Sequence, residues 1–232
     1  MISVQTNIMF LVCLSKSKDE NPTKATNKPN TTFALKALNT VLRPFHTLKI
    51  GKKFQPLDLE DLKKEAMEKT KLTNFGPHWD EIPYLETINI VNQTNYSPVG
   101  KFLMYNYFLQ QLKELLLIEE TFSNDESLQE YCKGDSNHRP LVVLGLPRTG
   151  TTFLHSLLAL DPNVRAPLKW ELDYPSPRDV NDAEKDKEIR IKLAESDNLN
   201  AAKTFAPHIL QLHDNSDVTR PEECECKCYY IV

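Results

Sequence analysis

Glycine is scarce in this chain, with 6 among 232 residues, whereas proline numbers 15. Sandwiches and barrels use glycine freely at their many turns, so this balance argues against an all-β fold. It points instead to helices joined by proline-punctuated loops. An excess of one charge sign is missing too. Lys+Arg 28 against Asp+Glu 32 gives a net charge of −4, which provides no global field to gather nucleic acid or an anionic membrane. Any anion bound here must be caught by a local site. No apolar run approaches the roughly 18–20 residues of a membrane span. Cysteine is sparse and odd in number, 5 in all with three in the last nine residues. That is no disulfide framework, and a reducing, cytoplasmic compartment is the simpler reading. The short apolar stretch Ile8 to Leu14 follows no Lys or Arg, so an N-terminal targeting segment over residues 1–14 stands only as the alternative.

From Ser15 to Thr32 there is no Leu, Ile, Val, Met or aromatic residue. Such a stretch cannot offset its ordering entropy by burial, so residues 1–32 read as a flexible tail, with folded structure starting near Phe33. Between 33 and 138 the periodicity is helical. Asp58 is placed to cap a helix through LEDLKKEAMEKTK, with Leu59, Leu62 and Ala66 on one side. Ser97-Pro98 opens a second helix, with a hydroxyl at the cap and a proline where no N–H is needed. Its apolar residues Phe102, Tyr105, Leu109, Leu112 and Leu116 recur at steps of three and four, widened by Phe108 and Leu115. The mixed charges of residues 181–197 read as a solvated helix face.

At Arg139-Pro140 the pattern changes. Leu141-Val142-Val143-Leu144 is a short apolar run rich in β-branched residues, the signature of a strand buried on both faces of a parallel sheet. A loop follows, Gly145-Leu146-Pro147-Arg148-Thr149-Gly150-Thr151-Thr152. Then comes a helix with an apolar face of Phe153, Leu154, Leu157 and Leu158, ending at Asp161-Pro162. The loop frame is G-x-x-x-x-G between strand and helix, as in a nucleotide-binding P-loop. Gly145 and Gly150 let successive N–H groups turn inward, while the helix start adds unsatisfied N–H groups and partial positive charge. Thr151 and Thr152 add hydroxyl donors. A nucleotide-hydrolysing loop has Lys directly after the second glycine, and Thr151 occupies that position here. The positive charge comes from Arg148 inside the loop. This suits a terminal phosphate or a sulfate bridge and weakens the P-loop NTPase reading.

The stretch LVVLGLPRTGTTFLHSLLALDP, with Arg165 and Lys169-Trp170-Glu171 beyond it, resembles the sulfotransferases that use 3′-phosphoadenosine 5′-phosphosulfate (PAPS), in particular their bacterial-type branch. The resemblance extends upstream through Leu57-Asp58-Leu59-Glu60-Asp61-Leu62, Asn74-Phe75-Gly76 and Pro98-Val99-Gly100. Downstream it reaches Arg220-Pro221-Glu222-Glu223-Cys224, so that it covers roughly residues 57 to 224. It implies an α/β fold, a P-loop-type parallel sheet preceded by an α-helical N-terminal region. It further implies that PAPS is the co-substrate, with its 5′-phosphosulfate end held by Pro147, Arg148, Thr149, Gly150, Thr151 and Thr152. No metal is implied. Transfer of a sulfuryl group to a hydroxyl or amine needs charge stabilisation, for which Arg148 is the candidate, and a base. For the base the resemblance points to Glu171, which reads equally as an anchor of a surface loop. His213, Glu222 and Glu223 read as structural, and His155 as packed on its helix. The partner is a small-molecule or carbohydrate acceptor, with no nucleic acid and no clear membrane segment.

The sequence also departs from the family. Only 92 residues follow Pro140, with one confident strand, and no match to the family's 3′-phosphate segment is present. The expected sheet is therefore incomplete, in a partial domain over 139–224 followed by an atypical tail over 225–232. The alternating Cys224, Cys226 and Cys228 make a weak soft-metal set, and a foreign tail on a truncated chain is the preferred reading. The expected consequences are low stability and weak PAPS affinity. The alternative to an enzyme is a non-catalytic remnant or nucleotide-binding module.

Overall fold

The computed structural model describes residues 32–77, 79–133, 141–146, 149–196 and 217–222. Helix α1 spans Phe33–Thr47, and the Thr32 hydroxyl caps it by accepting from the Leu35 N–H at 3.2 Å. After a short 3-10 turn at Lys52–Phe54 comes α2, Leu59–Thr70. Asp58 accepts from the Asp61 N–H at 3.0 Å, and Leu59, Leu62 and Ala66 are buried, which is the cap and the face that the sequence predicts. Helix α3 covers Ile82–Gln93, and the long α4 covers Pro98–Asn124, with α5 following at Glu126–Lys133.

The start of α4 shows how the helical region is tied together. Its orphan N–H groups are satisfied locally and from a distance: Ser97 Oγ accepts from Gly100 at 3.1 Å, and Asn39 Oδ1 of α1 accepts from Val99 at 3.1 Å. Asn92 of α3 pairs with the backbone of Leu57 in both directions, at 2.8 Å each way, fixing the entry to α2. Between these helices lies one apolar core. Leu62, Leu112 and Leu116 are fully buried in it, beside Val91, Met104 and Phe108. Each such leucine contributes about 1.5–3 kcal/mol by leaving water.

A second, smaller core forms farther along the chain, where α7 (Lys169–Asp173) meets α8 (Ala183–Ala194). Helix α6 (Thr151–Leu158) precedes them. Trp170, Tyr174, Ala194 and Val218 make up this core. It is joined to α4 by an ion pair between the Arg178 guanidinium and Glu114, a carboxylate only 1% exposed. Gln110 also donates to Glu114, at 2.6 Å. The Arg178 side chain bonds the Ser176 carbonyl at 3.1 Å, while its backbone N–H donates to Asp186. Asp186 accepts in addition from the Asp179 N–H at 3.2 Å and from Arg190 at 3.0 Å. Arg190 reaches the Tyr174 carbonyl at 2.6 Å and lies 4.5 Å above the Trp170 ring. The solvated face expected over 181–197 is thus corrected in part. Lys185, Lys187 and Glu188 are exposed, but Asp186 is buried where the preceding loop, through the Arg178 and Asp179 N–H groups, folds over it beside Arg190.

The parallel sheet is the larger departure. Among the described residues no strand is paired into a sheet, and one isolated antiparallel bridge joins Leu168 to Pro221. Residues 141–146 run without secondary structure. Leu141, Val142 and Leu144 face solvent, Leu144 at 89%. The expected apolar face of α6 is likewise open, with Phe153 74% exposed. The reason is elementary: a β-branched run becomes a buried strand only if neighbours take up its N–H and C=O groups, and no described residue does so. The tails expected over 1–32 and 225–232 lie outside the described residues, except for Thr32.

Two outcomes follow for the buried polar cluster. Arg178→Met strands the Glu114 carboxylate without its cation and is expected to lower stability by about 3 kcal/mol, read from urea midpoints. Burial alone would push the Asp186 carboxyl up, but the Arg178 N–H, the Arg190 guanidinium and the Asp179 N–H outweigh it and hold it below the usual range. The stability it confers is therefore complete above about pH 4 and is lost as the pH falls through the lower folded-state value. Asp186→Asn is expected to flatten that acid-side loss in the same urea series.

Candidate functional site

The glycine loop bends where the sequence places its glycines. The Leu146 carbonyl accepts from both the N–H of Thr149, at 3.3 Å, and its hydroxyl, at 2.6 Å, which draws residues 146 and 149 together. Gly145 sits against this closure. A Cβ there would lie 2.6 Å from the Thr151 methyl and 2.9 Å from Thr149 Oγ1, so a side chain has no room. Gly150 serves another need. Its φ of 92° and ψ of 19° are left-handed, a conformation that costs most L residues about 1–2 kcal/mol. Among the described residues nothing lies within 4 Å of where its Cβ would be, so the demand seen here is on the backbone.

Gly150 is also the N-cap of α6, and as a glycine it brings no side-chain acceptor to that helix start. Thr151 and Thr152 are the first two residues of α6, so they stand at the amino end of a helix, where backbone N–H groups and partial positive charge gather. The Gly150 carbonyl accepts the first intrahelical bond, from Leu154 at 3.0 Å. Close-packed Gly145 and left-handed Gly150 at a helix start make an arrangement of the kind that receives a phosphate or sulfate group. Pro147 and Arg148, the other two loop residues singled out in the sequence, lie outside the described residues.

Glu171 is held firmly. One carboxylate oxygen accepts from the Leu168 N–H at 2.9 Å, closing the amino end of α7, and the other meets Arg165 at 2.5 Å. The sequence quotes Arg165 and Glu171 as parts of one motif but does not reveal that they pair. It also misses a longer-range association. Lys169 N–H donates to the Arg220 carbonyl at 2.9 Å, Trp170 to Val218 at 3.0 Å, and Glu222 to Pro167 at 3.1 Å. Lys169-Trp170-Glu171 and Arg220-Pro221-Glu222, fifty residues apart in the chain, thereby lie side by side. No periodicity signals that pairing. His155 is half-buried on α6, and Glu222 sits at the bridge, whereas His213, Glu223 and Cys224 lie outside the described residues. Among the described residues no group of three or more His, Cys, Asp or Glu is arranged to hold a metal. No described helix is long and apolar enough to cross a membrane.

Comparison with known proteins agrees with the loop. Residues 140–228 match the model of the Sulfotransferase family. The segment that carries PRTGTT is thus similar to that family, in agreement with the resemblance read from the sequence. The match continues to residue 228, four residues into the stretch that the sequence reads as an atypical tail. A search of the curated proteins finds no match. Among solved structures the chain is similar to the crystal structure of a sulfotransferase from Mycobacterium tuberculosis H37Rv (type1 form), at 22% identity and a TM-score of 0.52. The likeness covers 73% of this chain, so it takes in much of the helical region, and 45% of that one. This chain therefore spans less than half of the sulfotransferase whose fold it shares.

The two glycines are expected to fail differently. Gly150→Ala should cost about 1–2 kcal/mol of stability through left-handed strain. Gly145→Ala should displace the two threonines and, if the loop holds PAPS, weaken binding of its spent form, adenosine 3′,5′-bisphosphate, at least about tenfold. Calorimetric unfolding and titration calorimetry read the two effects separately.

Proposed function

We propose that this chain is a sulfotransferase that moves a sulfuryl group from PAPS to a hydroxyl or amine of a small-molecule or carbohydrate acceptor. The observation that carries the reading is the fit at Gly145, where a Cβ would crowd Thr149 and Thr151 just before the start of α6. PAPS supplies an activated sulfuryl group whose leaving partner is a phosphate. In this reading the N–H groups at the start of α6 and the hydroxyls of Thr149, Thr151 and Thr152 orient the phosphosulfate end, with Pro147 shaping the loop. Arg148 adds the positive charge that offsets what develops on the bridging oxygen. Leu141 to Leu144 then belongs to a parallel strand in the catalytically competent form, where a neighbour would cover the exposed faces of Leu144 and Phe153. A cytoplasmic location is part of the same proposal.

Glu171 is the proposed base. A base must be fixed as well as basic, and the bonds from Leu168 and Arg165 fix it. Each carboxylate oxygen has a second lone-pair site, so these bonds leave capacity to accept the acceptor's proton. The same bonds favour a second reading, a non-catalytic PAPS-binding module in which Glu171 only closes the start of α7. Hydrolysis of a nucleoside triphosphate is the least favoured function, since Thr151 stands where the phosphate-binding lysine is required.

Titration with adenosine 3′,5′-bisphosphate in the presence of a chelator tests the site. At about 100-fold above its Kd the ligand is expected to raise the unfolding temperature by roughly 5–10 °C. Arg148→Ala should abolish the rise. Glu171→Gln keeps an oxygen for the Leu168 N–H and should retain the rise while lowering sulfate transfer by about 10²–10⁴-fold. Unchanged transfer in that variant removes Glu171 as the base. Binding without transfer to any alcohol, phenol or sugar favours the module.

A further inference from the structure

Helix α1 has two apolar faces, and among the described residues only one of them is packed. Leu35, Leu38 and Leu42 are half-buried on the side that meets α4. Phe33, Ala37, Val41 and Pro44 follow one another at steps of four, four and three along a different face, and Leu48 extends it by one more step of four. That second face is bare: Phe33 is 86% exposed and Leu48 68%, with Val41 and Ile50 also open. Beside it runs a cationic edge. Lys36 and Arg43 are exposed on α1, and Lys49 and Lys52 are exposed just beyond it.

The charge distribution says what kind of surface this face fits. Residues 32–57 hold five Lys or Arg and no Asp or Glu. Elsewhere the chain has 23 (28 less 5) against 32 acidic residues, so the basic charge of this element is set within a molecule of net −4. Exposed aliphatic and aromatic side chains bordered by lysine and arginine, with no carboxylate among them, match an interface with apolar depth and anionic headgroups. A second copy of this acidic protein would offer the cationic edge a less specific counterpart, and the edge would go unused against a purely apolar partner.

We propose that the open face of α1, continued by Leu48 and Ile50, docks on an anionic lipid bilayer, with Lys36, Arg43, Lys49 and Lys52 at the headgroups. The helix lies in the plane of the interface and inserts only side chains, so the protein is peripheral and reversible in its attachment. This inference is independent of the donor reading. It uses residues of the first helix alone, and the anionic leaflet it fits is the cytoplasmic one.

Vesicle co-sedimentation of the full chain tests it, with phosphatidylcholine vesicles against vesicles containing about one-third phosphatidylserine. The expected result is binding to the mixed vesicles that is at least about tenfold stronger than to phosphatidylcholine alone. Replacing Lys36, Arg43, Lys49 and Lys52 together by Gln should remove that difference. Val41→Asp with Leu48→Asp should abolish binding. All six positions are exposed, and circular dichroism confirms that the variants keep their helices. Both variants leave Ile8 to Leu14 intact, so binding that survives in them belongs to another segment and overturns the proposal. Equal affinity for the two vesicle types overturns it as well. So does a dimer in sedimentation equilibrium that Val41→Asp dissociates, with no vesicle binding.

Discussion

The buried contact between Glu114 and Arg178 is what makes one molecule of two cores. Helices α1 to α4 bury a continuous apolar interior, whereas the segment that carries the glycine loop has only a small one around Trp170. A core of that size does little to fix its own position. The guanidinium of Arg178 supplies the missing constraint by entering the carboxylate of a helix more than sixty residues earlier. A buried charge pair is a poor source of net stability, because desolvation consumes most of the attraction. Its value lies in direction. An apolar contact can slide, but a bonded carboxylate and guanidinium are satisfied in one register only, and Asp186 and Arg190 hold the loop around Arg178 in that register.

The same polar cluster sets the surroundings of Glu171. Arg190 lies over the face of Trp170 and bonds the Tyr174 carbonyl, so the turn after α7 is held from one side. The backbone bonds to residues 218–222 hold α7 from the other. Glu171 sits at the start of this short helix, which is too short to persist alone. Its geometry is thus imposed by tertiary contacts, unlike that of the glycine loop, whose bend is written locally in Gly145, Thr149 and Gly150. The proposed site, with one local and one imposed element, would depend on the folded molecule for its second half.

That difference explains what could be read from the residues alone. Asp58, Ser97-Pro98 and the apolar steps of α4 obey rules that act within a few residues, and each appears as expected. The loop was legible for the same reason: glycine spacing and the identity of position 151 are local facts. Three features were not. The run 141–144 has strand composition, but pairing requires a second segment, and among the described residues none answers it. Asp186 looks like one charge among many until Arg178 folds back onto it. The approach of residues 218–222 to α7 is carried by backbone N–H and C=O groups, which every residue possesses and no pattern advertises.

Net charge illustrates the limit of whole-chain quantities most clearly. A value of −4 argues correctly that no global field gathers anions, yet it averages a basic first helix with an acidic remainder. Across distances beyond about 8 Å in physiological salt the two regions scarcely sense one another, so each acts by its own local charge. In the proposed function an anionic donor meets a molecule that is acidic over most of its length. Capture would then rest on groups within contact range of the phosphosulfate, for which the α6 N–H groups, the threonine hydroxyls and Arg148 are the candidates. On that proposal a side chain at Gly145, by displacing Thr149 and Thr151, would weaken the short-range capture, and positive charge beyond a screening length could not replace it.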